Sequence, residues 1–160
     1  MTQEDFLKRY SYNPTTDSLG SGGFGDVYRA YDNYLDKYVA IKVSQVKPGG
    51  ETWRLRNEVN KVASLLHPNI AHYEECYTFF YPTGEYDFAI MQYYEYGNLE
   101  GLLKSKQLSI EERYDILTQL LEGIAHLHKN SIIHRDLKPQ NKNIAKRGKR
   151  YIPKITDFGI

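Results

Sequence analysis

Two acidic side chains and one amide near the end of the chain form the strongest chemical pattern in the sequence. Asp136 and Asn141 lie in the run His134-Arg135-Asp136-Leu137-Lys138-Pro139-Gln140-Asn141, and Asp157 starts the run Asp157-Phe158-Gly159. Phosphoryl transfer needs a carboxylate that orients an attacking hydroxyl and receives its proton, together with oxygen ligands that keep Mg²⁺ on the phosphates. We predict the first role for Asp136 and the second for Asn141 and Asp157. For either aspartate considered alone, a solvated loop carboxylate would be the better interpretation.

A glycine cluster near the start of the chain could bind phosphate. The run Gly20-Ser21-Gly22-Gly23-Phe24-Gly25 has the pattern G-x-G-x-x-G. Glycines permit a tight turn and let backbone N–H groups approach phosphate oxygens. A dinucleotide-binding turn has the same spacing, but there the third glycine opens a helix, whereas residues 26–31 alternate as in a strand. The pattern therefore favours a strand–turn–strand flap, although a flexible hairpin is an equally good interpretation of this motif alone.

Lys42 lies in a β-rich run, Val39-Ala40-Ile41-Lys42, downstream of the glycine cluster. Its ammonium group could hold phosphate oxygens if another side chain aimed it. Glu58, on the buried side of the next predicted helix, is the natural partner for an ion pair. Most Lys–Glu pairs are surface pairs worth at most ~1 kcal/mol. The position of Lys42 relative to the glycines nevertheless favours the functional role.

The elements that must position these residues differ between the two halves of the chain. In the first half, the patterns predict three antiparallel strands within residues 12–46, a helix over 52–66, and strands over 70–80 and 86–93. The buried stripe of the helix is predicted to consist of Leu55, Val59, Val62 and Leu66. These elements would form a five-stranded sheet with one helix, a small lobe over residues 1–94.

The second half is predicted to begin a helical lobe, residues 95–160, after a connector over 92–97. A long helix over 110–128 would be largely buried through the face formed by Tyr114, Leu117, Leu121, Ile124 and Leu127. Later in the chain, two short strands over 143–145 and 151–155 would form a hairpin. The predicted fold class is therefore α+β.

Composition excludes several other classes of function. The 21 Lys+Arg and 20 Asp+Glu residues leave a formal net charge of +1, so the overall charge predicts neither a nucleic acid nor a membrane as partner. No apolar run approaches the ~18 residues of a membrane span. The single cysteine, Cys76, cannot form an internal disulfide. We therefore expect a cytoplasmic protein.

In their order and separations, these motifs resemble the eukaryotic-type (Hanks-type) Ser/Thr protein kinase family, from about Leu19 to Gly159. The resemblance implies a protein-kinase-like fold, with a five-stranded antiparallel small lobe and the first part of a helical large lobe. It implies ATP and Mg²⁺ as cofactors and a protein as substrate. Lys138 resembles the lysine that Ser/Thr kinases place two residues after the catalytic aspartate, so Ser and Thr hydroxyls are the implied acceptors.

The resemblance also implies a role for each site residue. Asp136 would be the catalytic base, Lys138 would steady the γ-phosphate, and Lys42, held by Glu58, would contact the α and β phosphates. Asn141 and Asp157 would bind the metal. The implied nucleotide contacts are Gly20, Gly22, Gly25, Val27, Ala40, Lys42, Met91, Gln92, Tyr94, Asn98 and Asn143, with Met91 as gatekeeper.

Lys142 and Asn143 depart from the family pattern. In the family, a branched apolar pair usually follows the loop asparagine, and its second member packs beneath adenine. Burying an ammonium or an amide without a partner costs on the order of 1–3 kcal/mol each. We therefore expect either that both side chains are exposed to solvent or that the floor of the adenine site is altered.

The end of the sequence is the other departure, because Ile160 directly follows Asp157-Phe158-Gly159. We expect a truncated domain that folds its small lobe but shows negligible protein phosphorylation by itself. Exposed apolar surface around Leu117, Leu121 and Ile124 would favour self-association. A nucleotide-binding pseudokinase or scaffold and an inert engineered fragment are the alternative functions. The presence of all the catalytic side chains favours an enzyme.

Overall fold

The computed structural model describes residues 1–22, 25–50 and 54–158, which fall into two units. The first unit comprises Met1–Ser64 and His72–Tyr93, and the second comprises Leu65–Ala71 and Tyr94–Ile160. Among the helices in the described part of the chain, none combines the length and the apolar character needed to cross a membrane.

The first unit is built on a six-stranded antiparallel sheet. Its strands are β1 (Tyr10–Ser11), β2 (Ser18–Gly22), β3 (Gly25–Asp32), β4 (Lys37–Gln45), β5 (Tyr73–Tyr81) and β6 (Gly84–Gln92). The spatial order is β1-β3-β4-β6-β5, and β2 also pairs with β3. The five predicted strands are confirmed, and β1 adds a short sixth strand at the edge.

A short helix that the sequence did not reveal covers one face of this sheet. The helix α1 (Gln3–Arg9) begins after Thr2, which forms a capping box with Asp5. Its only buried residue is Phe6, so the segment has no apolar periodicity from which a helix could be predicted. The core that it completes consists of Phe6, Tyr10, Ala30, Val39, Ile41, Phe79, Phe88 and Ile90.

The helix α2 (Leu55–Val62) is shorter than the predicted helix over 52–66. Leu55, Val59 and Val62 are buried, as predicted, whereas Leu66 is 79% exposed. The prediction for Leu66 is wrong because the helix ends before this residue, which therefore does not lie on the apolar stripe. The predicted first residue, Thr52, lies outside the described residues.

The second unit contains two helices, α3 (Leu99–Ser105) and α4 (Ile110–Lys129), a short 3-10 helix (Pro139–Asn141), and an antiparallel hairpin. The strands of the hairpin are β7 (Lys142–Arg147) and β8 (Arg150–Ile155). The tip contains Gly148, whose φ of 60° lies in the left-handed region that favours glycine. The predicted hairpin is confirmed, with longer strands and a tighter turn.

The buried face of α4 shares only Leu127 with the predicted face, and Ile124, also predicted, is half-buried. Its buried residues are Ile116, Gln119, Gly123 and Leu127, whereas Tyr114, Leu117 and Leu121 are exposed. Gln119 donates to the carbonyl of Tyr151 at 2.9 Å, and Gly123 leaves room for Ile155 against the helix. The prediction of a largely buried helix is therefore wrong. It relied on the spacing of apolar residues, but the face that contacts β8 includes an amide and a glycine, which an apolar pattern does not include.

Candidate active site

The described glycines of the cluster lie at the ends of two paired strands. β2 and β3 are antiparallel, and their last described pair is Gly22 with Gly25. Gly25 has a φ of 112°, and a Cβ at this position would collide with the backbone carbonyl of Val43. A Cβ at Gly20 or Gly22 would meet no atom within 4 Å. The two strands of the predicted flap are therefore confirmed, whereas Gly23 and Phe24 lie outside the described residues. Of Gly20, Gly22 and Gly25, only Gly25 is required by packing.

Lys42 and Glu58 form a buried ion pair within the first unit. Lys42 lies on β4 and is 2% exposed, Glu58 lies on α2 and is 8% exposed, and Nζ is 3.5 Å from Oε2. The Tyr73 hydroxyl donates to Oε1 of Glu58 at 3.0 Å. Burial distinguishes this pair from a solvated surface pair, because the ammonium and the carboxylate are both removed from water. The pairing proposed from sequence position is present, and Tyr73 is a further partner.

An ion-pair network fixes the start of α2, and therefore the helix that carries Glu58. Arg54 donates to both carboxylate oxygens of Asp87, at 3.0 and 2.6 Å, and to Glu85 at 2.8 Å. The Thr78 hydroxyl, at 2.7 Å, and the Arg56 N–H, at 3.0 Å, also donate to Asp87. Burial alone would raise the pKa of Asp87, but the hydrogen bonds, chiefly from Arg54, outweigh it and the pKa is lowered.

The residues predicted to surround adenine in the first unit lie on adjacent strands. Val27 on β3 is opposite Lys42, and Ala40 on β4 is opposite Met91 on β6. Ala40 and Met91 are buried, whereas Gln92 is exposed and its N–H donates to the carbonyl of His72 at 3.1 Å. These positions form one continuous patch of the sheet.

The residues predicted for adenine in the second unit have structural partners of their own. Tyr94 is buried, and the Lys154 ammonium lies 6.0 Å from its ring centroid. Asn98 caps α3 by accepting from the Gly101 N–H at 2.9 Å. Asn143 is half-buried and forms a β-bridge with Asn98. Helix capping therefore accounts for the Asn98 side chain without a ligand.

Asp136 is held by two side chains from its own loop. The Lys138 ammonium lies 2.7 Å from Oδ2 of Asp136. The Asn141 amide nitrogen donates to the same oxygen at 2.9 Å and to the Asp136 carbonyl at 3.0 Å. The hydrogen bond from Lys138 has the largest effect on the pKa of Asp136 and lowers it, and the hydrogen bond from Asn141 lowers it further. The carboxylate is therefore ionised at neutral pH and fixed in orientation.

His134 joins this loop to the segment that precedes Asp157. The Asp136 N–H donates to Nδ1 of His134 at 3.3 Å, and Nε2 lies 2.8 Å from the carbonyl of Thr156. Because a carbonyl only accepts, Nε2 carries the proton and the imidazole is neutral. Burial lowers the pKa of His134 and favours this neutral form. The centroid of the imidazole ring also lies 5.3 Å from the centroid of the Phe158 ring.

The hairpin brings the two predicted metal ligands close together. Lys142 on β7 pairs with Ile155 on β8, and just beyond them the Thr156 N–H donates to the Asn141 carbonyl at 3.1 Å. Because the Asn141 amide nitrogen donates to Asp136, its amide oxygen is the atom it can offer to a cation. With the Asp157 carboxylate, this gives the hard oxygen donors that Mg²⁺ prefers. The residues present therefore fit Mg²⁺.

The described residues contain no group of three or more His, Cys, Asp or Glu side chains that could hold a metal ion.

Lys142 is buried, which excludes for this residue the first of the two alternatives, exposure to solvent. The residue is 4% exposed, and its ammonium donates to the Lys138 carbonyl at 3.0 Å. Burial lowers the pKa of Lys142 to about 8. The chain therefore accommodates the departure from the apolar pattern by giving the ammonium a backbone acceptor. For the half-buried Asn143, an altered adenine floor stays a prediction.

The known proteins that are similar to this chain include several protein kinases. The chain is 37% identical to serine/threonine-protein kinase PrkC of Bacillus subtilis over 89% of its own length and 22% of that protein. It is 34% identical to the probable serine/threonine-protein kinase pknA2 of Bifidobacterium longum over 89% of the chain and 19% of that protein. It is 34% identical to mouse Aurora kinase B over 88% of the chain and 40% of that protein. The chain thus spans about a fifth to two fifths of these relatives.

A family model described as the protein kinase domain matches residues 14–160. The matched region begins before the glycine turn and contains every predicted site residue from Gly20 to Asp157. Because this match covers far more than half of the sequence, the chain belongs to the protein kinase family.

Proposed function

We propose that this chain is part of an enzyme that transfers the γ-phosphoryl group of ATP to Ser or Thr hydroxyls of proteins. The observation that carries the proposal is the state of Asp136: ionised, oriented by Lys138 and Asn141, and joined by His134 to the segment before Asp157. Phosphoryl transfer depends mainly on positioning and electrostatic stabilisation, and this loop supplies both. Bound Mg²⁺ would supply charge neutralisation on the phosphates.

The side chains of the site would each have a separate role in the transfer. Asp136 would orient the acceptor hydroxyl and accept its proton, and Lys138 would compensate negative charge on the transferred group. Asn141 would use its amide nitrogen to orient Asp136 and its amide oxygen to bind the metal, together with Asp157. Lys42, aimed by Glu58, would bind phosphate oxygens of the nucleotide. These residue roles, and the lobes over residues 1–94 and 95–160, are parts of the same proposal.

The preference for Ser and Thr over Tyr is supported by Lys138 and by the similarity to PrkC, a serine/threonine-protein kinase, and to pknA2, a probable serine/threonine-protein kinase. The test uses the whole enzyme of which this chain is part, with ATP·Mg²⁺ and three peptides that differ only in a Ser, Thr or Tyr acceptor, and the products are identified by mass spectrometry. We expect phosphate on the Ser and Thr peptides. Phosphate mainly on the Tyr peptide would contradict the acceptor assignment, and none on any peptide would contradict the proposed activity. A cytoplasmic location, where ATP is supplied, is part of the proposal.

Self-association is a separate part of the proposal and is supported by the exposed face of α4. Tyr114, Leu117 and Leu121 are 68, 52 and 58% exposed and recur on one side of the helix. Contiguous exposed apolar surface favours association. We expect sedimentation to show oligomers that a Leu117→Lys, Leu121→Lys double variant loses. A monomer for the unsubstituted chain at every concentration would contradict this proposal.

A further inference from the structure

Lys142 places an ammonium group inside the second unit, immediately after the catalytic loop. We propose that Lys142 is a positioning residue, whose side chain fixes the loop from Asp136 to Asn141 through the carbonyl of Lys138. The consequence for catalysis rests on the proposed function, whereas the fixing of the loop does not. The proposal rests on the burial of Lys142 and on the geometry of a single acceptor.

Two donors converge on the Lys138 carbonyl. The Asn141 N–H and the Lys142 ammonium each donate to it, both at 3.0 Å. The Lys142 N–H in turn donates to the carbonyl of Pro139. An aliphatic side chain at position 142 would leave the Lys138 carbonyl with one of these two donors, the Asn141 N–H of a single 3-10 turn, whose hydrogen-bond geometry is poor. The ammonium therefore adds a charge-assisted bond that holds this turn closed.

The turn held by Lys142 carries both groups that hold Asp136. The Lys138 ammonium and the Asn141 amide bind the same carboxylate oxygen of Asp136, at 2.7 and 2.9 Å. If the backbone between Lys138 and Asn141 opens, both groups move away from Asp136. A displacement of about 1 Å in such positioning groups can reduce a rate by about a hundredfold. Lys142 would therefore act on catalysis through Lys138 and Asn141, without touching the reacting atoms.

The burial of Lys142 also gives its role a distinct signature. An ammonium taken out of water destabilises a fold, whereas a methionine of similar length fills the same space at no such cost. A residue kept only for packing would lower stability when it is replaced. A residue that positions the loop would instead loosen the loop while overall stability is unchanged or increased. The two roles can therefore be separated by measuring loop opening and thermal stability together.

The test compares Lys142→Met with Lys154→Met by hydrogen exchange. Lys154 is a matched control because it is also partly buried, lies on β8 opposite Asn143, and has no side-chain hydrogen bond to the catalytic loop in the described structure. We expect amide exchange in residues 137–142 to accelerate about tenfold or more in Lys142→Met, with no change in Lys154→Met. The thermal midpoint of Lys142→Met should equal or exceed that of the unsubstituted chain.

Two results would overturn the proposal. One is unchanged exchange of the loop amides in Lys142→Met. The other is faster exchange across the whole unit with a lowered thermal midpoint, which would mean a merely structural role. In an active protein, Lys142→Met should lower kcat about ten- to a hundredfold with little change in KM for ATP.

The failures of the two proposals can be told apart. If the loop responds but the enzyme of which this chain is part transfers no phosphate, the proposed function is wrong and the positioning role stands. If the unsubstituted protein is active and the loop does not respond, only the positioning role is wrong.

Discussion

Replacing Arg54 with methionine removes the cation that neutralises the fully buried Asp87 carboxylate. Asp87 is 0% exposed and receives two of its hydrogen bonds from Arg54, so the variant leaves a buried charge with only Thr78 and the Arg56 N–H as donors. Removing one partner of a buried ion pair costs about 3–5 kcal/mol. Because two donors remain, we expect a loss at the lower end, about 3 kcal/mol of unfolding free energy.

Urea denaturation followed by circular dichroism measures this loss. The control is Lys37→Met, which breaks an ion pair of 2.6 Å with Glu74 in which Lys37 is 44% exposed, and which should change stability by less than about 1 kcal/mol. Adding Asp87→Asn to Arg54→Met should recover part of the loss, because the unpaired charge is then gone. Equal, small losses for Arg54→Met and Lys37→Met would refute the reasoning that this network holds α2.

Three further predictions concern the glycine turn, pH and the adenine site. Gly25→Ala should lower the thermal midpoint because its Cβ has no space, whereas Gly20→Ala and Gly22→Ala should leave that midpoint unchanged and weaken nucleotide affinity in a calorimetric titration. The pKa of Asp87 is lowered, so its contribution to stability is present above its unfolded pKa near ~3.9 and is lost as pH falls through the folded pKa. Urea midpoints measured from pH 6 down to about 2 should therefore fall less steeply for Asp87→Asn than for the unsubstituted chain. Asn143→Leu should tighten ATP binding, since an apolar side chain in this half-buried position has no amide to desolvate, and unchanged affinity by calorimetry would contradict this.

The sheet and the hairpin could be predicted from the sequence because their signals are local. The run of β-branched and apolar residues in β4 and the glycine at the tip of the β7–β8 hairpin specify a strand and a turn within a few residues. The helix α1 and the buried face of α4 could not be predicted in the same way. Phe6 is a single apolar anchor, and Gln119 and Gly123 contact β8 through a hydrogen bond and through close approach, which hydropathy does not register.

The same distinction applies to the candidate site. The ion pair between Lys42 and Glu58 could be inferred because each residue lies in a recognisable element. The partners of Lys142 and His134 could not, because a backbone carbonyl that accepts from a side chain leaves no pattern in the sequence. The packing of Lys142 also shows why the sequence could not decide between an exposed side chain and an altered adenine site: a nearby backbone acceptor allows an ammonium group to be buried.

The central claim is that Asp136 acts on the acceptor hydroxyl, and the most direct measurement is the rate of phosphoryl transfer in Asp136→Asn. The matched control is Asp115→Asn, a half-buried aspartate of the same unit that pairs with Arg150 at 2.7 Å and lies outside the catalytic loop. We expect Asp136→Asn to lower kcat by about 10²–10⁴ with ATP affinity retained, and Asp115→Asn to transfer phosphate at close to the original rate. Transfer by Asp136→Asn within about tenfold of the unsubstituted protein would contradict the account.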